Sequence, residues 1–429
     1  MLTKEVKELD QSMVLWLSLG QLISWGTLFY TFALLLEPLE RELGASRSAV
    51  ALAFSLAMLT EGLMGYPVGR WIDRGHGRAV MCAGSALAAL GLIALSLVQS
   101  LAGLYAAWFV IGLSLSGVLY TPSFAILTQR FPTQYRRAII TLTFLGGLAS
   151  TVFLPLGAWL IGALGWRSAL LVLAALHALV CLPIHALVLR GLKTALPSGS
   201  CVSSGSSALA AACVDTTDSI ANNDHMTLTL APNFLKTPAF WYIAAFIVLF
   251  MGVTAAVPAH LVAMLGESGI SSAQAIGFAA AIGAVQVLGR VLMFFFESRF
   301  NVHTSNRVIP CLIPVGLLAL LAASWDGALA SAGTSAWLVL LFVAAYGMGN
   351  GMLTIVKGTA IAQYVNRNAV GRLNGLIALP TALARSAGAL ILAALWSPAG
   401  GYTLGLAWMV AACVVAVLAL VLAQREVRA

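Results

Sequence analysis

Long apolar runs alternate with short charged turns from one end of this chain to the other. Cutting at charges, prolines and glycines leaves spans of approximately Met13 to Glu37, Arg47 to Trp71, Ala79 to Val98, Leu101 to Thr128, Ala138 to Leu164 and Arg167 to Leu189. A second six follow, approximately Ala239 to Leu265, Ala273 to Phe296, Val308 to Ser324, Ala336 to Tyr364, Leu373 to Trp396 and Tyr402 to Ala423. Most approach the roughly 20 apolar residues that a helix needs to cross a hydrocarbon core. A helix satisfies its own backbone polar groups there, where no water can. The pattern predicts an all-α membrane protein of twelve transmembrane helices in two six-helix bundles. Between the sixes, Gly191 to Lys236 is rich in Ser, Asn, Asp and Thr and cannot bury enough apolar area to fold. It reads as a flexible linker, 191–236, between bundles 1–190 and 237–429.

Composition agrees: 60% of the 429 residues are hydrophobic and 9% charged, against about 45–50% and about 25% in a soluble domain. The net charge of +8 would suggest nucleic acid in a soluble protein. Here the cations sit in short loops. Arg70, Arg74, Arg78, Arg130, Arg136, Arg137, Arg299, Arg307, Arg367 and Arg372 fall on one side if the spans alternate, with the terminal Lys and Arg residues; Arg41, Arg47 and Arg167 fall on the other. Such asymmetry marks the cytoplasmic side. Both termini and the linker are therefore expected there, in a multi-pass plasma-membrane protein, the inner membrane if bacterial. The first apolar run is too long for a signal peptide and lacks a small-residue cleavage site, so it reads as a retained span. Six cysteines, with no C-x-x-C pair, signal neither a disulfide framework nor a zinc site.

At the second turn the chain reads G-R-W-I-D-R-G-H-G-R, Gly69 to Arg78. Gly69 lets helices approach closely, and Asp73 is placed to face the positive N-terminal end of another helix, while Arg74 and Arg78 pair with carboxylates or lipid phosphates. A plain charged turn explains the cations but not this spacing. The segment resembles the signature loop of the major facilitator superfamily, which latches the cytoplasmic side when the carrier faces outward; the family's glycine two places after Asp-Arg is His76 here. S-W-G-T-L-F-Y-T-F-A-L-L-L-E-P-L-E-R-E-L-G with the following S-R-S-A-V, and G-W-R at Gly165 to Arg167, look like the monocarboxylate and oxalate:formate carrier branch. The fifth span has Leu154-Pro155 rather than the Gly-Pro pair of drug:proton antiporters.

Ionisable groups deep in a span usually line a cavity or pair. Arg385 lies near the middle of the eleventh span, and Glu61 lies well inside the second. Arg290 and Lys357 lie about two turns from the cytoplasmic end of their spans, where a long stem can carry the charge outward; for Lys357 snorkelling is the expected reading. The resemblance implies more for the arginines. Oxalate:formate carriers have an arginine after a glycine in the eighth span, matched by Gly289-Arg290, and a lysine in the eleventh, where T-A-L-A-R-S-A-G places Arg385. Both would bind substrate carboxylate; alternatively both satisfy carbonyls or pair with Glu61. Gln286 stands four before Arg290, where monocarboxylate carriers have an acidic residue near their arginine. Tyr30, Tyr120 and Asn350 are further cavity-lining candidates beside their packing roles, and Glu61 is the proton-coupling candidate. His177, His185 and His260 lack metal-site spacing and read as packing residues.

No Walker A sequence occurs, and no nucleophile and base cluster. The expected function is secondary active transport of a small organic anion, a mono- or dicarboxylate, by alternating access with proton symport or anion exchange. The alternative is a proton-coupled efflux antiporter for a toxic or cationic compound. A monomer in the bilayer is expected, with an anionic small-molecule substrate and with no cofactor, metal or nucleic-acid partner.

Overall fold

The computed structural model describes residues 2–131, 135–190, 237–267, 270–296, 302–326, 332–365 and 370–426. The linker expected at Gly191 to Lys236 lies outside the described residues. Among the described residues eleven apolar segments are long enough to cross a membrane. One of them, Arg47–Ser96, holds two antiparallel spans, because Gly75 takes a φ of +87° and turns the chain between Trp71 and Gly77. The helices are α1 (Gln11–Leu43), α2 (Arg47–Trp71), α3 (Gly77–Ser96), α4 (Leu101–Arg130), α5 (Ala138–Leu164) and α6 (Trp166–Val188). The second set is α7 (Pro238–Glu267), α8 (Ser272–Phe296), α9 (Val302–Asp326), α10 (Ala332–Tyr364), α11 (Val370–Ala394) and α12 (Thr403–Glu426). This is the expected all-α arrangement of two sixes.

Three helices of the first set are irregular where they approach the molecular centre, for reasons partly written in the sequence. Helix α1 widens into a π-turn over Trp25–Tyr30, a feature that often re-aims side chains at functional sites. Helix α4 breaks at Leu119, which is extended (ψ −161°) just before Tyr120. Pro122 has no N–H for the Val118 carbonyl, and its ring would crowd that carbonyl in a continuous helix. Gln21 of α1 supplies the missing donor: its Nε2 donates to Val118 O at 2.5 Å, and also reaches Leu119 O and Ser123 Oγ. Helix α5 bends at Leu148, next to Gly146 and Gly147.

Close packing inside each bundle depends on small residues, as expected where lipid provides no hydrophobic drive between helices. A Cβ on Gly112 would lie 2.7 Å from the Ala57 carbonyl, and one on Gly351 would overlap the Gln286 carbonyl. In the first bundle Phe32 stacks on Phe54 and meets Trp108 edge-on. The buried histidines are hydrogen-bonded: His177 Nε2 lies 2.7 Å from Thr27 Oγ1, and His185 Nδ1 lies 2.7 Å from Ser85 Oγ. Large side chains such as Leu63, Leu179 and Trp337 point outward, as a lipid-facing surface requires.

The bundles meet along two seams. In one, α2 lies on α11: Ser386 Oγ donates to Ser55 O at 2.7 Å, and Gly62 admits Ala382. In the other, α5 lies on α8: Thr151 Oγ1 donates to Ala280 O at 2.8 Å, and Gly283 faces Ser150 and Thr151. On the face opposite the termini, Arg47 ties the bundles together. It donates to Glu40 at 2.8 Å within its own bundle, then to Glu267 at 3.3 Å and to the Tyr402 hydroxyl at 3.2 Å across the gap. Its guanidinium also lies 4.1 Å from the centre of the Trp396 ring. Glu267 completes the cluster by accepting from Trp396 Nε1 and the Tyr402 amide.

Candidate functional site in the inter-bundle cavity

A cavity of about 210 Å³ lies between the bundles. Helical periodicity explains its second-bundle wall, since residues four and seven apart share a helix face. Gln286 and Arg290 project from α8; Asn350, Thr354 and Lys357 from α10; Ala378, Thr381 and Arg385 from α11; Met251, Ala255 and Pro258 from α7. The first bundle contributes through its irregular points: Trp25, Phe29 and Tyr30 from the π-turn, Tyr120 from beyond the α4 break, Gly146 and Gly147 from the α5 bend, and Glu61 from α2.

The sequence candidates Arg290, Arg385, Gln286, Tyr30, Tyr120, Asn350 and Glu61 thus share one cavity. Arg385 Nη1 donates to Glu61 Oε2 at 2.5 Å, with both side chains about one-tenth exposed, and Arg385 Nη2 lies 3.5 Å from Met58 Sδ. This ion pair crosses from one bundle to the other. Arg290 also bridges: Nη1 donates to Thr143 O at 2.9 Å in the first bundle, and Nε donates to Gly351 O at 3.3 Å in the second. Gly147 leaves room for it, since a Cβ there would lie 2.9 Å from Nη1.

Lys357 corrects a sequence expectation. Its ammonium does not snorkel to the surface; it lines the cavity, against Met251 Sδ. Distance along the helix suggested escape, but the face of α10 is set by Asn350 and Thr354, which point Lys357 inward. The Arg47 cluster was also missed, because Arg47 was read only as a loop charge and Glu40, Glu267, Trp396 and Tyr402 were given no role.

The signature turn lies apart from the cavity. Gly69 lies in the last turn of α2, Asp73, Arg74 and Arg78 are exposed, and Gly75 makes the turn. Among the described residues Asp73 Oδ1 accepts from Gln129 Nε2 at 3.2 Å, at the end of α4 in the same bundle. Among the described residues no group of His, Cys, Asp and Glu could hold a metal ion.

The family model described as Major Facilitator Superfamily matches residues 17–305, more than half of the chain. The chain belongs to the major facilitator superfamily. Within it, a 166-residue segment is 33% identical to monocarboxylate transporter 13 of Rattus norvegicus and 31% identical to that of Bos taurus. The segment covers 38% of this chain and 37% of each relative, so the chain spans well under half the length of the curated relatives it matches. Solved superfamily structures share the fold over 97% of the chain. They include a bacterial homologue of the lysosomal transporter Spinster, inward-facing and unoccupied (TM-score 0.66, 18% identity, 97% of that chain), and the nucleoside transporter NupG (0.70, 14%, 99%). A third is the xylose transporter XylE from E. coli, partially occluded inward-open (0.68, 12%, 98%). At these identities the likeness speaks for the fold alone. Superfamily membership, with the apolar helices above, makes the chain a multi-pass membrane protein.

Proposed function

We propose that the protein is a secondary active transporter of a small organic anion, a mono- or dicarboxylate, working by alternating access. The observation that carries this reading is the charge of the cavity: Arg290, Lys357 and Arg385 face it with Glu61 as the one carboxylate among its lining residues. Three cations against one anion in a low-dielectric pocket favour an entering anion and repel a cation. Arginine's planar fork matches a carboxylate. The segment shared with monocarboxylate transporter 13 supports the same class.

Alternating access follows from the two bundles rocking about a midplane site. The Arg47 cluster and the polar seams hold the face opposite the termini, which supports a site open toward the termini. That side is cytoplasmic by the cation asymmetry. Glu61 is the coupling candidate, because a proton on it would release Arg385. Proton symport and anion exchange both fit this chemistry.

Ligand-dependent thermal stability of the purified protein tests the substrate class. A ligand at 100 times its Kd stabilises by about 2.7 kcal/mol. Some member of a panel of small mono- and dicarboxylates is expected to raise Tm, and amines of similar size are not. Stabilisation by the amines alone would move the reading to cation export through Glu61.

A further inference from the structure

Of the cavity's three cations, neither Lys357 nor Arg290 meets a carboxylate of the described residues within ion-pairing distance. Arg385 is matched by Glu61 at 2.5 Å. Arg290 has two N–H groups engaged by the carbonyls of Thr143 and Gly351. The Lys357 ammonium rests on the Met251 thioether. Sulfur of this kind is a weak acceptor, and an ammonium away from water with such a partner is among the costliest groups a membrane helix can carry. Its own turn of α10 offers Thr354, whose hydroxyl donates to Gly351 O and so presents only lone pairs toward the cavity.

We propose that Lys357 is an anion-binding residue of the transport site, making the ionic contact with the substrate carboxylate while Glu61 occupies Arg385. The inference rests on the carboxylate-carrier reading above. An ammonium on a four-carbon stem is a mobile point charge, unlike an arginine fork fixed in plane by carbonyls. It can follow carboxylates of different length, whereas Arg290 holds its position between the bundles. Charge counting adds a consequence for specificity. With Glu61 ionised, the lining carries an excess of two positive charges, which a dianion cancels and a monoanion halves. Without Lys357 the excess is one, which a monoanion cancels. Lys357 therefore sets the preferred substrate charge as well as the affinity.

Calorimetric titration of the full chain in detergent tests this with lactate, oxalate, malonate and succinate as probes, comparing wild type with Lys357→Met and Lys357→Arg. Methionine keeps the stem's bulk against Met251 without the charge. For the best-bound dicarboxylate, Lys357→Met is expected to raise Kd at least 30-fold, with a smaller loss for lactate, while Lys357→Arg stays within tenfold of wild type. Wild-type affinity in Lys357→Met overturns the inference and leaves the carboxylate reading standing. A wild-type protein that binds none of the probes, nor any other carboxylate, overturns both. A readout without substitution guards against a variant that does not fold. The rate at which an amine-acylating reagent modifies Lys357 in wild type, followed by mass spectrometry, is expected to fall at least fivefold with saturating dicarboxylate, and an unchanged rate contradicts the proposal.

Discussion

The Glu61–Arg385 pair couples two charges that neither helix could hold alone. Breaking such a pair by removing one partner costs about 3–5 kcal/mol, whereas replacing both together costs far less. Glu61→Gln and Arg385→Gln are each expected to lower stability, and the double variant to be more stable than the sum of the two losses. A double-mutant cycle measured by denaturation in mixed micelles should return a coupling above about 1.5 kcal/mol; additive losses would show that the contact contributes nothing. Arg385→Lys, which keeps the charge without the fork, is expected to retain part of the coupling and part of the transport. Arg290, Arg385 and Glu61 were legible in the sequence because a charge inside an apolar run stands out. Their partners stood in the sequence only as an alternative, carbonyls or Glu61, because Glu61 and Arg385 are 324 positions apart and only the fold brings them together. Lys357 was misread because its depth was judged along the chain, when the face it shares with Asn350 and Thr354 decides where it points.

At the scale of the helix, the bundles are held on one face by a small polar cluster. Arg47 is one-tenth exposed, and its bonds to Glu267 and Tyr402 link α2 to α7 and to the start of α12. Losing about 1.4 kcal/mol of that contact shifts a two-state equilibrium tenfold. Arg47→Gln is therefore expected to populate a form open on this face. Spin labels at Arg41→Cys and Ala273→Cys, in a background without native cysteines, should then show a longer distance component that wild type lacks; identical distributions would remove the cluster from gating. Gly351 makes a second helix-level case. A methyl there collides with the Gln286 backbone, so Gly351→Ala is expected to push α10 from α8 at a cost of about 1–3 kcal/mol. Carboxylate affinity should fall with it, because Gly351 O also positions Arg290. Affinity equal to wild type would show that the wall tolerates the shift. Hydropathy located these helices well, with α2 as read from the charges. It did not reveal the π-turn at Trp25–Tyr30 or the break at Leu119. Pro122 hinted at the break, but the compensating donor, Gln21, comes from another helix.

For the whole molecule, twelve spans and their division into sixes followed from hydropathy alone, because lipid leaves the backbone so few alternatives. The cavity did not. It arises where stripes from four second-bundle helices face three irregular helices and α2 of the first, an assembly that no single span records. Its charge is what the account rests on: three cations and one carboxylate around about 210 Å³ between the bundles. The most direct measurement is uptake of labelled mono- and dicarboxylates into proteoliposomes holding wild type, Arg290→Gln, Arg385→Gln or a catalytically irrelevant surface variant such as Arg41→Gln. The account predicts saturable carboxylate uptake by wild type and Arg41→Gln, falling at least tenfold in both cavity variants at equal reconstitution. Saturable transport of a cation or neutral solute by wild type, with no carboxylate carried or competing, would contradict it.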